Sequence, residues 1–133
     1  MQKAVSIVVV QGKKAFLGTR LNPFDNYGKR CFPGGKVETG ETPEEALIRE
    51  LREELGILVK EPCLAPFTFA SHTYGEFHLL MPLYICRRWD GNPQALTHAA
   101  IKWVRPRDLL ANAALYPMPA ADLPLIPMLR DLL

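Results

Sequence analysis

The stretch between Gly35 and Ile57, GKVETGETPEEALIRELREELGI, constrains the fold of this chain more tightly than any other segment. Thr42 is a favoured N-cap residue, Pro43 suits the first helical position, and Glu45 completes a capping box with Thr42. Leu55-Gly56 supplies the stop, because glycine accepts the left-handed conformation that ends a helix. The spacing predicts a helix over 43–55, about four turns long. At about 100° per residue Leu47, Leu51 and Leu55 form one stripe flanked by Ala46 and Ile48, and that stripe must face a core.

A second face of the same helix carries Glu50, Glu53 and Glu54 at i, i+3 and i+4. Each like-charged pair costs an isolated helix a few tenths of a kcal/mol, and Arg49 offsets one of them through its i+4 relation to Glu53. A hard divalent cation reverses the sign of the whole cluster, since Mg²⁺ favours a few carboxylates plus water and phosphate oxygens. The plain alternative is a solvated acidic face, the commoner fate of such runs. The fixed glycine at 35, the glutamate at 41 and the Arg49-Glu50 pair weigh against it.

Those residues make a pattern. Gly35, Glu41, Arg49, Glu50, Leu51, Glu53, Glu54, Gly56 and Ile57 match all nine specified positions of G-x5-E-x7-R-E-U-x-E-E-x-G-U, where U is aliphatic. The chain resembles the Nudix hydrolase family. Pro33-Gly34-Gly35-Lys36-Val37-Glu38 and Gly40-Glu41-Thr42-Pro43 make it most similar to the MutT-type nucleoside triphosphate pyrophosphohydrolases, the 8-oxo-dGTP diphosphatases and CTP pyrophosphohydrolases. The resemblance implies an α/β fold, an α/β/α sandwich around a mixed β-sheet, which the mixture of strands with two or three helices also suggests.

The resemblance further implies an Mg²⁺-dependent enzyme, with Mn²⁺ as a substitute, that converts a nucleoside triphosphate and water to monophosphate and pyrophosphate. Candidate substrates are 8-oxo-dGTP and CTP- or dCTP-like nucleotides. Other readings are hydrolysis of a different nucleoside diphosphate conjugate, such as ADP-ribose or a dinucleoside polyphosphate, and a Nudix-fold nucleotide-binding module without catalysis. By resemblance Glu50, Glu53 and Glu54 ligate metal together with the Gly35 carbonyl. One of the glutamates, with Glu50 preferred, acts as or positions the general base, and Arg49 orients a carboxylate. Glu41 serves either a further metal or a backbone cap. Lys36 and Arg20 are candidate phosphate contacts, with ordinary solvated surface as the alternative.

Asp122 matches the base-contacting residue of MutT-type tails, within Tyr116-Pro117-Met118-Pro119-Ala120-Ala121-Asp122-Leu123-Pro124-Leu125. An ionised carboxylate only accepts hydrogen bonds, so it favours base edges presenting N–H or NH₂ donors. The alternative is an N-cap for a terminal helix, and both roles can hold at once. Phe32 is a candidate to pack against the base or to fill the core. Two departures stand out. Arg30-Cys31 occupy positions where relatives often carry Trp and an acid or amide. Thr97-His98 stand where a further loop glutamate is usual, and no carboxylate lies between Asp90 and Asp108.

The rest of the chain is consistent with one domain spanning residues 1–133. No apolar run approaches the roughly 20 residues of a membrane helix. A net charge of +2 is too weak to indicate a nucleic-acid polymer as partner. Cys31, Cys63 and Cys86 are odd in number and form no CxxC, which argues against zinc and disulfides and for a cytoplasmic compartment. The expected partner is a small nucleotide, with no membrane, for a monomer or homodimer. Ala4–Val10 and Ala15–Thr19 predict a hairpin with its turn at Gly12, and 20–30 a loop. Strands are expected at Ile57–Lys60, at Ala65–Thr73 (this region broken by Pro62 and Pro66), at Glu76–Arg87 and at Ala99–Val104, with a turn at Asp90–Pro93. Pro106–Ala113 should be a short helix, Leu115–Ala121 a proline-marked loop and Asp122–Leu133 a terminal helix with Pro127 straining its first turn. Tyr74, Phe77 and Tyr84 are read as sheet packing.

Overall fold

The computed structural model of the chain describes residues 2–11, 14–20, 30–75, 77–96, 98–111, 118 and 120–133, with side chains described over 32–75, 77–96, 102–111, 118 and 120–133. Strand β1, Gln2–Gln11, is the hub. It pairs antiparallel with β2, Lys14–Arg20, through Val10↔Ala15 and Gln11↔Lys14. Beyond those pairs the two strands take different partners. β1 takes β4, Gly34–Lys36, on one stretch and runs parallel to β6, Phe77–Cys86. β2 takes β3, Arg30–Cys31, and β7, His98–Val104. β5, Ala65–Tyr74, closes the far side against β6. The order is β3-β2-β1-β6-β5, with β4 on β1 and β7 on β2, so the sheet is mixed. Phe32 and Pro33 carry the chain from the β2 side to the β1 side.

Helix α1, Pro43–Leu55, has the limits that its caps dictate. Ala46, Leu47, Leu51 and Leu55 are buried with Tyr84 and Cys86 of β6 in one cluster. Each fully buried leucine contributes about 2 kcal/mol. Met81, Leu83 and Ile85 of β6 point the other way. They join Leu109 of α2, Pro106–Ala111, and Leu125, Ile126 and Leu129 of α3, Leu125–Leu132. The two-residue alternation of β6 thus feeds two cores on opposite faces of the sheet, the arrangement of an α/β/α sandwich.

Several expectations change in detail. Ile57–Lys60 forms only an isolated bridge, Leu58↔Asp90, and Pro62 lies in a 3-10 turn, Glu61–Cys63. Pro66 does not break β5; it sits at a register shift between Pro66 and Thr68 on an edge strand, where a missing N–H is tolerated. Pro82 lies in an interior strand, and the β1–β6 pairs run to Lys3↔Leu80 and resume at Ser6↔Leu83, leaving its missing donor in the interval. Arg20 and Arg30 belong to strands rather than to the loop between them. α3 starts at Leu125, three residues later than expected, behind Pro124. Pro127 is its third residue, where no intrahelical N–H bond is needed. The Gly12 turn, positions 21–29 and most of Leu115–Ala121 lie outside the described residues. Among those described, no helix is long and apolar enough to cross a membrane.

Candidate active site

The caps of α1 set the site. Thr42 Oγ1 accepts the Glu45 N–H and Glu45 Oε1 accepts the Thr42 N–H, both at 3.1 Å. At the other end Gly56 adopts φ 69° and donates its N–H to Arg52 O at 3.1 Å. With both ends fixed and the leucine stripe buried, Arg49, Glu50, Glu53 and Glu54 have little rotational choice.

Arg49 is the centre of the polar cluster. Its Nε donates to Glu41 Oε2 at 2.8 Å and its Nη2 to Glu41 Oε1 at 2.9 Å, a bidentate clasp. Nη2 also donates to the Lys36 carbonyl at 3.1 Å. Nη1 donates to Glu50 Oε1 at 3.0 Å and lies 3.5 Å from Glu53 Oε2, the expected i+4 partner. One guanidinium therefore ties β4 and the loop after it to the acidic face of α1. Glu41 Oε1 accepts the Glu38 N–H as well, at 3.0 Å, so Glu41 caps the turn ahead of the helix. The Arg49 hydrogen bonds, followed by the Glu38 N–H, pull the Glu41 carboxyl down to about 2. Glu41 first, and then Glu50, raise the already basic Arg49 further.

Glu50 lies directly over Gly35. A Cβ built on Gly35 would collide with the Glu50 carboxylate, so the glycine is needed for close approach rather than for an unusual backbone angle. Glu54 is buried at 5% exposure, and the Gly34 N–H points at its Oε2 from 3.5 Å. Glu53 reaches outward, with its side chain 58% exposed. Among the described residues no three His, Cys, Asp or Glu side chains are gathered closely enough to hold an ion as they stand. The donor set nevertheless fits a hard divalent cation. It offers carboxylate oxygens on one helix face, and a seat over Gly35 for one of them, left open by the absent Cβ.

The other candidates fall around this cluster. Lys36 ends β4 with an exposed side chain, and its carbonyl already serves Arg49. Arg20 ends β2 at a register shift and lies opposite His98, the first residue of β7; Thr97 is outside the described residues. Phe32, 1% exposed, is covered within the core cluster that holds Met118, Ala121 and Leu125. It links the glycine turn to the segment bearing Asp122. Asp122 is 5% exposed, and its carbonyl accepts the Leu125 N–H at 3.0 Å. It does not cap α3: the cap position belongs to Pro124 and carries no side-chain bond.

Two tyrosines carry more than the sheet packing read from the sequence. Tyr74 Oη accepts the Ala121 N–H at 2.8 Å across 47 positions, and no local pattern announces such a pair. Burial raises the Tyr74 phenol, and the Asp122 charge adds to the rise. Tyr84 donates to Glu44 Oε1 at 2.7 Å and anchors the first turn of α1 to β6.

The chain is similar to known proteins along nearly its whole length. The NUDIX domain model matches residues 1–129. The 8-oxo-dGTP diphosphatase of Escherichia coli K12 is 32% identical over 132 residues, covering 99% of this chain and 98% of the other. The CTP pyrophosphohydrolase of the same strain is 35% identical over 128 residues, covering 95% and 89%. The solution structure of the E. coli ORF135 protein superposes with a TM-score of 0.84 at 30% identity, covering 99% of this chain and 90% of that one.

Proposed function

This chain belongs to the NUDIX domain family and is a nucleotide pyrophosphohydrolase of MutT type, and we propose that it uses Mg²⁺ to split a nucleoside triphosphate into monophosphate and pyrophosphate. The observation that carries this reading is the Glu50 carboxylate, seated over Gly35 and held by Arg49. Preferred substrates are 8-oxo-dGTP or CTP- and dCTP-like nucleotides, as the names of its full-length relatives suggest. A match to the ADP-ribose pyrophosphatase of Methanocaldococcus jannaschii covers only 43% of this chain and 33% of the other, so conjugates of that kind rank below.

The chemistry is attack of water on a phosphoanhydride phosphorus, which needs alignment and charge neutralisation more than covalent help. Glu50, Glu53 and Glu54, with the Gly35 carbonyl, would hold the cation. When bound, it neutralises phosphate charge and lowers the pKa of the attacking water. Glu50 takes the proton of that water; Arg49 holds its carboxylate in place. Lys36 and Arg20 meet the phosphates, and Asp122 accepts hydrogen bonds from the base edge. We assign the protein to the cytoplasm on Cys63 and Cys86, which form no disulfide among the described residues.

The test is incubation of the purified protein with Mg²⁺ and a panel containing 8-oxo-dGTP, CTP, dCTP and ADP-ribose, with products identified by mass. Pyrophosphate plus one monophosphate, lost in Glu53→Gln while nucleotide binding persists, is expected. Cleavage of ADP-ribose alone overturns the substrate class, and no cleavage by the native protein leaves a binding module.

A further inference from the structure

The residue proposed to read the base has no rigid element of its own. Asp122 lies in the turn Ala120–Pro124 ahead of α3, and that helix lacks a side-chain cap. A carboxylate that selects one base edge over another must be held to within a fraction of an ångström, because a hydrogen bond weakens steeply with distance and angle. A tie from the sheet to the backbone of that turn contributes to holding it.

Tyr74 is in the right place. It is the last residue of β5, and its ring lies against two neighbours, His72 at 4.6 Å between centroids and Phe77, stacked, at 5.6 Å. The hairpin pairs Tyr74↔Phe77 and His72↔Leu79 fix the backbone beneath it. From that platform the Tyr74 hydroxyl accepts the N–H of Ala121, the residue bonded to Asp122, at 2.8 Å. The N–H of the residue before Asp122 is thus tied to the sheet, and the Asp122 carbonyl accepts the N–H of the first residue of α3 at 3.0 Å.

We propose that Tyr74 is a positioning residue for base selection, its hydroxyl fixing the backbone from which Asp122 presents its carboxylate. This rests on the reading that Asp122 contacts the base. The ring alone cannot do it: phenylalanine keeps the stacking on Phe77 and the contact with His72 but leaves the Ala121 N–H without its partner. Burial first, and the Asp122 charge after it, raises the Tyr74 phenol above its ordinary value, so the hydroxyl stays protonated at neutral pH.

The experiment compares native protein, Tyr74→Phe and Asp122→Ala on the preferred triphosphate found in the panel and on a second triphosphate with a different base edge. Tyr74→Phe should raise KM for the preferred nucleotide about tenfold, with a smaller change in kcat, and cut the ratio of kcat/KM between the two nucleotides by a similar factor. The Ala121 amide should exchange with solvent faster in the same variant. If Asp122→Ala removes discrimination and Tyr74→Phe does not, the positioning role is overturned while the base contact stands. If Tyr74→Phe lowers kcat/KM equally for both nucleotides, Tyr74 is merely structural and the proposal fails. If Asp122→Ala leaves discrimination intact, the base contact itself is wrong and the role of Tyr74 falls with it.

Discussion

Gly35 and Glu50 compete for one space: the Glu50 carboxylate lies where the Cβ of any larger residue at 35 would begin. The colliding atoms are the far end of a flexible side chain, so Gly35→Ala should fold. Its unfolding temperature should stay within a few degrees of native, as about 1 kcal/mol would imply for a domain of this size. The carboxylate, however, has to leave its seat. Misplacement by about 1 Å costs on the order of 100-fold in rate, and kcat/KM should fall by that much. Full activity in Gly35→Ala, measured beside its melting curve, would show that the seat over Gly35 is not used.

Glu41 gives the acid limb of stability a specific cause. Its folded carboxyl titrates at about 2 against an ordinary value of 4.5, first through the Arg49 hydrogen bonds and then through the Glu38 N–H. A lowered carboxyl contributes stability that is complete above the ordinary value and is lost as pH falls toward the folded one. The gap in melting temperature between native protein and Glu41→Gln should therefore be widest above about pH 5 and close between pH 4.5 and 2. A gap that does not change across that window would refute the assignment. At neutral pH the variant should also lose roughly 10-fold or more in activity, since the partner that orients Arg49 is weakened.

How far the sequence reached depends on how local each interaction is. The limits of α1, its buried stripe and its Arg49–Glu53 pair follow from spacings of three, four and seven residues, and all are present. The mixed sheet followed from strand patterning and resemblance, but strand order did not, because pairs such as Ser6↔Leu83 join distant segments by register alone. Pro66 misled where context outweighed propensity, because its edge position tolerates the missing N–H; the strand expected through Pro82 is present, with that proline in a gap of the β1–β6 pairing. At the site, that Glu41 grips Arg49 with both oxygens needed the turn at Glu38 to be seen. Tyr74 was assigned to packing because a hydroxyl 47 positions from its donor leaves no trace in either local sequence.

Arg49→Lys should behave as a severe change rather than a conservative one. The guanidinium meets both oxygens of Glu41, the Lys36 carbonyl and Glu50 in different directions. A lysine keeps the charge but cannot reproduce the planar fork, so it holds at most part of that set. Glu50 then loses its fixed donor while the electrostatic balance of the acidic face is kept. A fall of roughly 10–100-fold in kcat is expected, with Arg49→Ala lower still. Near-native kcat in Arg49→Lys would mean that charge alone matters and that the bidentate geometry is incidental.

Tyr84→Phe tests how α1 is fastened to the sheet, away from the reacting groups. Tyr84 is 6% exposed and its hydroxyl donates to Glu44 in the first turn of α1. Removing that hydroxyl should cost about 1 kcal/mol, less than a fully buried charged bond because Glu44 is half-exposed. The melting temperature should then fall by about 3–5 °C. The pH dependence has a definite sign at both ends. Burial first, then Glu44, pushes the Tyr84 phenol up to about 12 from an ordinary 10.0, so its contribution is complete below 10 and is lost as pH rises toward 12. The Tyr84 hydrogen bond is also the main cause that lowers Glu44 from its ordinary 4.5, so that contribution is present above 4.5 and fades as pH falls. The native-minus-variant difference should form a plateau between about pH 5 and pH 10 and decline on both sides. Glu44→Gln should remove most of it, and in the double variant the two losses should not add. Additive losses would mean that the hydroxyl and the carboxylate act separately and that α1 is held by its leucine stripe alone.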